Sequence, residues 1–499
     1  MAKHVTTASL LAFISVIALS YFPIIHGLSD YPIHMWDEAT YANNAIDMAY
    51  VNNNYVVVQH QGAPDLYNTK PPFVIWMQAI SIKAFGVNEF AVRLPSAIFA
   101  LLTVVLVYLF CVRNLNSKLI GFMASAILVS SQGYVSIHIV RSGDLDATLI
   151  FWLTLGVVTF IDLLLRKPTN TWRHFALLAL SVSLGFLTKG AMAFAFVPFM
   201  FIISLFKNNR FIYRDYKLYL AIIFVLFTTT MYLILRVNAG PNYWDALLNE
   251  TFRLKGNATT FYQPFNYYYK ILAANHFYIF FYFLPLLLIT PIVNEDKKRR
   301  ISIYLLIVAL GYFLLISYMD VKFDWYTAPL FPLLAILLGL ATVEFATWIH
   351  NKLSTTCKRI YVNAALIVGL AVFLFIPYRA TLINITYNEH AIHPMVFDGA
   401  YLRHLKTSGI NLNNLKVLKA VETQEHYDQI LFYIRGYNLQ NGWQITMSDQ
   451  INFDAGDLVM CSQKNLKENL LNAYDIEIVN TWKNGSLYSI KQAKPTGQL

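Results

Sequence analysis

A mainly α-helical, polytopic membrane protein with a small α/β domain outside the bilayer is what the 499-residue sequence predicts. Three observations carry this. Hydrophobic residues make up 57% of the chain and charged ones only 13%, about half the charged fraction of a soluble domain. Apolar runs of the roughly 20 residues that a crossing needs recur along the first three quarters. After about residue 378 the composition turns polar and strand-like.

Eleven runs are read as spans, within an expected total of about 11–13: 6–26, 94–112, 119–138, 147–165, 174–188, 191–206, 218–236, 276–293, 301–319, 326–348 and 360–377. The first is kept as a span rather than a signal peptide because its start carries only Lys3 and no A-x-A site follows. Placing the N-terminus in the cytoplasm puts 17 basic residues on cytoplasmic segments and nine on the longer outer ones. That asymmetry follows the positive-inside rule and leaves the C-terminus outside. It also accounts for the net charge of +10, so no nucleic acid is implied. Cys111, Cys357 and Cys461 are far apart, which excludes a disulfide framework.

The predicted domains are therefore 1–378, a membrane domain with long outer loops at 27–93 and 237–275, and 379–499, a soluble α/β domain. In the first loop, "PPFVIWMQAISIKAFG" (71–86) is too short for a span and reads as an interfacial or re-entrant helix. In the tail, 414–421, 456–462, 475–482 and 486–491 read as strands, and 425–435 and 463–473 as helices. Lys483-Asn484-Gly485 reads as a hairpin turn.

The polar residues able to do chemistry collect at the outer ends of the spans. A transporter would bury them at mid-span and show an internal repeat; neither is seen. "HMWDEATY" (34–41) sets Asp37 and Glu38 beside the first span. Two solvated acids opening a helix is the plain reading. The functional one is a general base for an acceptor hydroxyl with a supporting acid. Lys70 precedes a double proline that starts the interfacial helix, where it either snorkels to headgroups or binds a lipid phosphate. "VRSGDLDATL" (140–149) adds Arg141, Asp144 and Asp146. Lys189 lies between the fifth and sixth runs, and Lys322 at the mouth of the tenth. Singly these are interface anchors. Together they form an outer vestibule whose bases suit a lipid phosphate and whose acids suit a hydroxyl nucleophile.

"WDEATYANNAIDM", "TKPPFVIWMQ", "FGVNEFAVRLPSA", "RSGDLDATL", "FLTKGAMAF" and "VKFDWYTAPLFPLLA" stand in an order that resembles the polyprenyl-phosphate-sugar-dependent membrane glycosyltransferases of the C-type (GT-C) fold. That superfamily includes the protein O-mannosyltransferases and the lipid A aminoarabinose transferases. The resemblance covers roughly residues 1–350. It implies transfer of a sugar from a polyprenyl-phosphate donor to a lipid, glycan or protein acceptor on the periplasmic face of a bacterial inner membrane, with inversion. A transporter or flippase of an anionic or lipid-phosphate-linked solute is the alternative. By resemblance Asp37 is the base, Asp146 the acid of the third loop and Asp144 a second acid there. Lys70, Arg253 and Tyr67 are implied as donor-phosphate ligands. The aminoarabinose enzymes carry a metal-binding Glu just before this Lys; here that residue is Thr69. The resemblance thus assigns no metal site, leaves a divalent cation open, and does not support lipid A as the acceptor.

Overall fold

The structure is a computed structural model that describes residues 7–34, 36–51, 54–65, 68–240, 242–253, 262–292, 295–386, 396–420 and 424–494. Tyr67 lies outside these residues. Arg253 closes the helix Tyr243–Arg253, but its side chain lies outside the described set.

All eleven expected spans fall on helical segments. Among the described residues, seven helices are long and apolar enough to cross a bilayer: Glu89–Asn114, Asp146–Arg166, Trp172–Phe194, Tyr216–Ala239, Asp296–Tyr318, Leu330–Leu353 and Arg359–Ile385. The others are short or broken, each for a local reason. The third run stops as a helix at Val129, where Ser130-Ser131-Gln132-Gly133 begins an irregular turn through His138. Such backbone is tolerated at membrane depth only where protein covers it, and Ser130, Ser131 and Tyr134 are fully buried. In the sixth, Pro198 restarts the helix at Val197–Ser204. The eighth joins Tyr267–His276 to Tyr278–Leu288 with a bend of 119°; its second half is a 3-10 helix containing Pro285 and Pro291, which lack the amide hydrogen an α-helix needs. The last span runs to Ile385, past the expected boundary at 378.

The first outer loop holds the two expected helices, Asp37–Ile46 and Phe73–Phe85. Pro71-Pro72 starts the second as a proline pair should. The C-terminal region forms a five-stranded sheet in the order Thr446–Ser448, Lys416–Leu418, Leu458–Cys461, Gly485–Ala493, Tyr474–Trp482. The first three strands are parallel and the last two pair antiparallel. Trp482 faces Gly485 in the ladder, as the hairpin requires.

The C-terminal region packs into one hydrophobic core with the first outer loop, in which Ala39, Ile46 and Ile82 meet Tyr401, Phe432 and Met460. The helix Gln424–Asn441 lies along Asp37–Ile46. Thr40 Oγ1 donates to Asp428 Oδ2 (2.7 Å) and Asn43 Nδ2 to the Asp428 carbonyl (2.8 Å). Arg435 Nη2 pairs with Asp47 Oδ1 at 2.7 Å, with Asp47 fully buried. Tyr433 Oη donates to Glu89 and accepts from the Ile33 amide.

Arg435→Ala leaves the buried Asp47 carboxylate without its guanidinium. Breaking one side of such a pair costs about 3 kcal/mol. Thermal unfolding in detergent should show a clear drop in midpoint; an unchanged midpoint would mean the pair is not a structural anchor.

Candidate active site

The site begins at the residue before the helix. Trp36 has φ 66° and ψ −122°, a strained conformation for a large side chain. Strain of this kind persists only where the surroundings over-determine it, and here they do. Glu38, one residue into the helix, is 1% exposed. Its Oε1 accepts from Arg93 Nε and from the Gly143 amide, both at 2.7 Å. Its Oε2 accepts from Arg93 Nη2 (2.9 Å) and from the His34 amide (2.8 Å). Arg93 sends its remaining hydrogens to the carbonyls of Leu28, Tyr31 and Pro32 at 2.7–2.9 Å. Glu38 is therefore fully committed to structure, which gives the supporting acid of the pair a positioning role.

Successive helix residues point about 100° apart, so Asp37 faces the other way. Its carboxylate, an Asp144 oxygen and a ring nitrogen of His138 lie within 4.8 Å of one another. His138 Nδ1 is 3.4 Å from Asp144 Oδ2, which also accepts from Ser142 Oγ at 2.6 Å. Asp144 Oδ1 is buried with no hydrogen-bond partner among the described residues. His138 stacks on Trp325 at 4.3 Å. Asp146 grips Lys189 Nζ with both oxygens, at 2.8 and 2.6 Å, joining two span ends.

Burial opposes the charge of every group here, and the neighbours decide the outcome. Burial and the Asp144 charge raise Asp37 above the usual carboxylate range, with His138, Lys189 and Lys70 opposing. Burial works against the His138 imidazolium, but Asp144 and Asp37 prevail and lift it to about 9. Asp144 is held low against burial by His138 and Ser142. Burial and the Lys189 charge pull Lys70 down to about 8. His34 falls to about 4 through burial and is neutral.

The structure thus brings Asp37, Asp144, Asp146, Lys189 and Lys70 to one centre. It does not bring Arg141 or Lys322 to bear on a donor phosphate as expected. Arg141 donates to the His26 and Gly27 carbonyls and Lys322 to those of Gln263 and Met319. Both hold loops, because a cation near uncapped carbonyls satisfies them first. Two functional residues escaped the sequence reading. His138 gave no signal, being the end of an apolar run. Arg236 did give one, as an arginine inside a span. It is fully buried, stacks at 4.5 Å over Tyr243, and donates from Nη2 to the Asp65 carbonyl at 2.5 Å. Its Nε and Nη1 find no acceptor among the described residues. Tyr243 Oη in turn donates to the Thr69 carbonyl, next to Lys70 (2.9 Å).

Asp37, His138 and Asp144 also form a donor set, two carboxylates and one imidazole, that suits zinc or manganese. The unpartnered Asp144 oxygen fits a ligand role, although His138 would have to release its proton first.

Residues 14–244 match the family model described as dolichyl-phosphate-mannose-protein mannosyltransferase. The undecaprenyl phosphate-alpha-4-amino-4-deoxy-L-arabinose arabinosyl transferase 2 of Proteus mirabilis is 27% identical over 349 residues, 68% of this chain. The transferase of the same description from Aeromonas hydrophila is 31% identical over 183 residues, 35% of this chain. The chain spans 60% of the length of the first relative and 31% of the second. Among solved structures, ArnT from Cupriavidus metallidurans bound to undecaprenyl phosphate matches with a TM-score of 0.67 over 98% of both chains, at 15% identity. The Archaeoglobus fulgidus oligosaccharyltransferase matches at 0.55, over 88% of this chain and 64% of its own, at 13% identity. These agree with the motif order on the fold, which is the C-type fold of membrane glycosyltransferases.

Glu38→Gln leaves the Arg93 charge buried and unbalanced, a loss of about 3–5 kcal/mol. Asp37→Asn removes no such partner. In detergent the first variant should unfold at a clearly lower temperature than wild type and the second close to it. Equal melting of Glu38→Gln and wild type would refute the structural role.

Proposed function

We propose that this multi-pass membrane protein, which carries the C-type glycosyltransferase fold, moves a sugar from a polyprenyl-phosphate carrier to an acceptor hydroxyl on the outer side of the membrane. One observation carries the reading. Asp37 is a half-buried carboxylate that stands among the cations His138, Lys189 and Lys70 while its neighbour Glu38 does the structural work. The basic asymmetry of the loops supports a cytoplasmic N-terminus and a periplasmic C-terminal region in a bacterial inner membrane. The relatives' activity on undecaprenyl phosphate sugars, as their names state it, supports that donor class here.

Asp37 takes the proton of the acceptor hydroxyl as its oxygen bonds to the anomeric carbon. The bond from that carbon to the phosphate oxygen breaks, and its electron pair stays on the phosphate. Polyprenyl phosphate leaves as an anion, so no acid is needed. The need is for fixed positive charge where negative charge grows. Lys70 and Arg236 supply it from the first loop and the Tyr216–Ala239 span, with Arg253 and Tyr67 assigned alongside them by resemblance. Lys189, oriented by both oxygens of Asp146, adds charge at the same centre. The His138 imidazolium, held by Asp144, opposes the rise of Asp37. A single base and no carboxylate nucleophile means one displacement and inversion. If a divalent cation binds, Asp37, His138 and Asp144 would hold it, and it would supply further electrophilic charge.

Asp37→Asn should lower sugar transfer by about 10²–10⁴-fold while undecaprenyl phosphate still binds. The readout is mass spectrometry of glycolipids and glycans from cells carrying each form, with lipid binding measured on purified protein. Wild-type glycosylation in the variant would remove Asp37 as base.

Losing one charge-assisted contact to the donor phosphate costs about 1.5–3 kcal/mol, or roughly ten- to a hundredfold in Kd. Lys70→Ala and Arg236→Gln should each weaken undecaprenyl phosphate binding by that factor. Lys70 is charged below about pH 8 and loses its proton above it. Wild-type binding should therefore weaken between about pH 7 and 9, and this step should vanish in Lys70→Ala. A flat profile in wild type would count against Lys70 as a phosphate ligand.

A further inference from the structure

A cavity of about 630 Å³ adjoins the centre at His138, within the ~300–1,000 Å³ of small-molecule sites. Its walls include His138 and His34 but not Lys70, Asp146, Lys189 or Arg236. Asp37 itself is not among the lining residues, so the cavity borders the centre through His138, whose ring nitrogen lies within 4.8 Å of the Asp37 carboxylate, and not through the proposed phosphate ligands. What it offers is specific. Trp325 is the middle ring of a stacked column, with His138 at 4.3 Å and Phe323 at 4.8 Å. Tyr31 and His34 form a second stacked pair at 4.6 Å. The side-chain amides of Gln132, Asn275 and Asn384 line the same space. No hydrogen bond engages these three amides among the described residues.

The charged groups of the described walls stand against partners. Arg93 is saturated by Glu38 and carbonyls, Arg141 holds the His26 and Gly27 carbonyls with the Asp30 charge nearby, Asp324 accepts from Tyr267, and His138 faces Asp144. With acids and cations matched in this way, the described wall presents no one-sided charge for a phosphate or an ammonium. Among the described lining residues there is no strand edge on which an extended peptide could pair. Aromatic rings with uncommitted amides beside them match a sugar. Trp325 is covered on both faces and meets the space at its edge, so the ring carbons of a sugar pack against that edge and the Tyr31–His34 pair, while neighbouring hydroxyls each find a donor and an acceptor on one amide.

We propose that this cavity is the acceptor subsite and that the acceptor is a neutral glycan, whose reactive hydroxyl reaches Asp37 past His138. The inference rests on the transfer reading above and adds to it the class of acceptor and the place where it binds.

The test uses the full-length protein in detergent, loaded with lipid-linked sugar extracted from the native membrane. Neutral methyl glycosides and disaccharides are offered as acceptors, and in parallel Ser/Thr peptides and phosphorylated glycolipids. Release of undecaprenyl phosphate and formation of the glycosylated product are both followed. Transfer to neutral glycosides is expected. Trp325→Ala, Asn275→Asp and Asn384→Asp should raise the acceptor KM about tenfold or more and leave the Kd for undecaprenyl phosphate within twofold of wild type. The two asparagines are exposed at the cavity rim, so those variants fold even if the tryptophan variant does not. Transfer to peptide or phosphorylated lipid alone, or an acceptor KM untouched by all three variants, overturns the acceptor assignment and leaves the transferase reading standing. If no acceptor draws sugar from the donor and no slow donor hydrolysis occurs, the transferase reading itself fails, and this assignment with it.

Discussion

The Glu38–Arg93 pair is the constraint on which the rest of the centre depends. All the guanidinium donors are used, and the carboxylate accepts from the Gly143 and His34 amides as well. One ion pair therefore fixes the helix that starts at Asp37, the loop at 28–34, the span Glu89–Asn114 and the turn that carries Asp144. A pair this buried stabilises less than its Coulomb energy suggests, since both ions leave water. Its effect is on geometry: either partner alone would be a buried uncompensated charge, so alternative placements of the four segments are strongly disfavoured. Asp37 inherits its position from that neighbour, and the strained backbone at Trp36 is held by the same contacts.

Around Asp37 the charges come in balanced numbers. Asp37, Asp144 and Asp146 face His138, Lys189 and Lys70. Burial and the Asp144 charge raise Asp37 while the three cations oppose that rise, so acids and cations largely answer one another. A phosphate entering the centre would draw on charge beyond this set. The buried guanidinium of Arg236, two of whose nitrogens find no acceptor among the described residues, is the proposed source of that charge. Such a role would offset the considerable desolvation cost of an arginine inside an apolar helix.

The apolar runs were legible because a span must be long and continuous to bury its backbone. Four of the five strands of the C-terminal sheet were legible through their alternation and turn residues; the three-residue edge strand Thr446–Ser448 is too short to show such a pattern. What the sequence could not divide was the pair Asp37-Glu38, since adjacent acids look alike until the helix turns one toward Arg93. Arg141 and Lys322 misled for a related reason: a cation that binds backbone carbonyls and one that faces a cavity have the same local sequence. His138 was hidden by its run. The helix ends at Val129 and the irregular turn after it swings the imidazole into the centre, a displacement that hydropathy alone does not encode. The docking of the C-terminal region was invisible because its contacts, such as Thr40 to Asp428, join residues almost 400 positions apart.

That docking bears on how acceptor and base are coordinated. Asp428 grips Thr40, one helical turn after Asp37, while Arg403 of the helix Phe397–Thr407 donates to the Ser29 and Asp30 carbonyls at 3.0 and 3.1 Å. Asp30 and Tyr31 belong to the cavity wall. One rigid sheet-and-helix unit thus holds both the base helix and the loop that borders the proposed acceptor site. A shift of a few tenths of an ångström in that unit would move both together, keeping the acceptor oxygen and the base in register. Misplacing reacting groups by about 1 Å can cost a hundredfold in rate, so a shared support of this kind has a direct catalytic value. The C-terminal region thus contacts both the Asp37 helix and the cavity loop, and exchanging it between related chains is expected to disturb both.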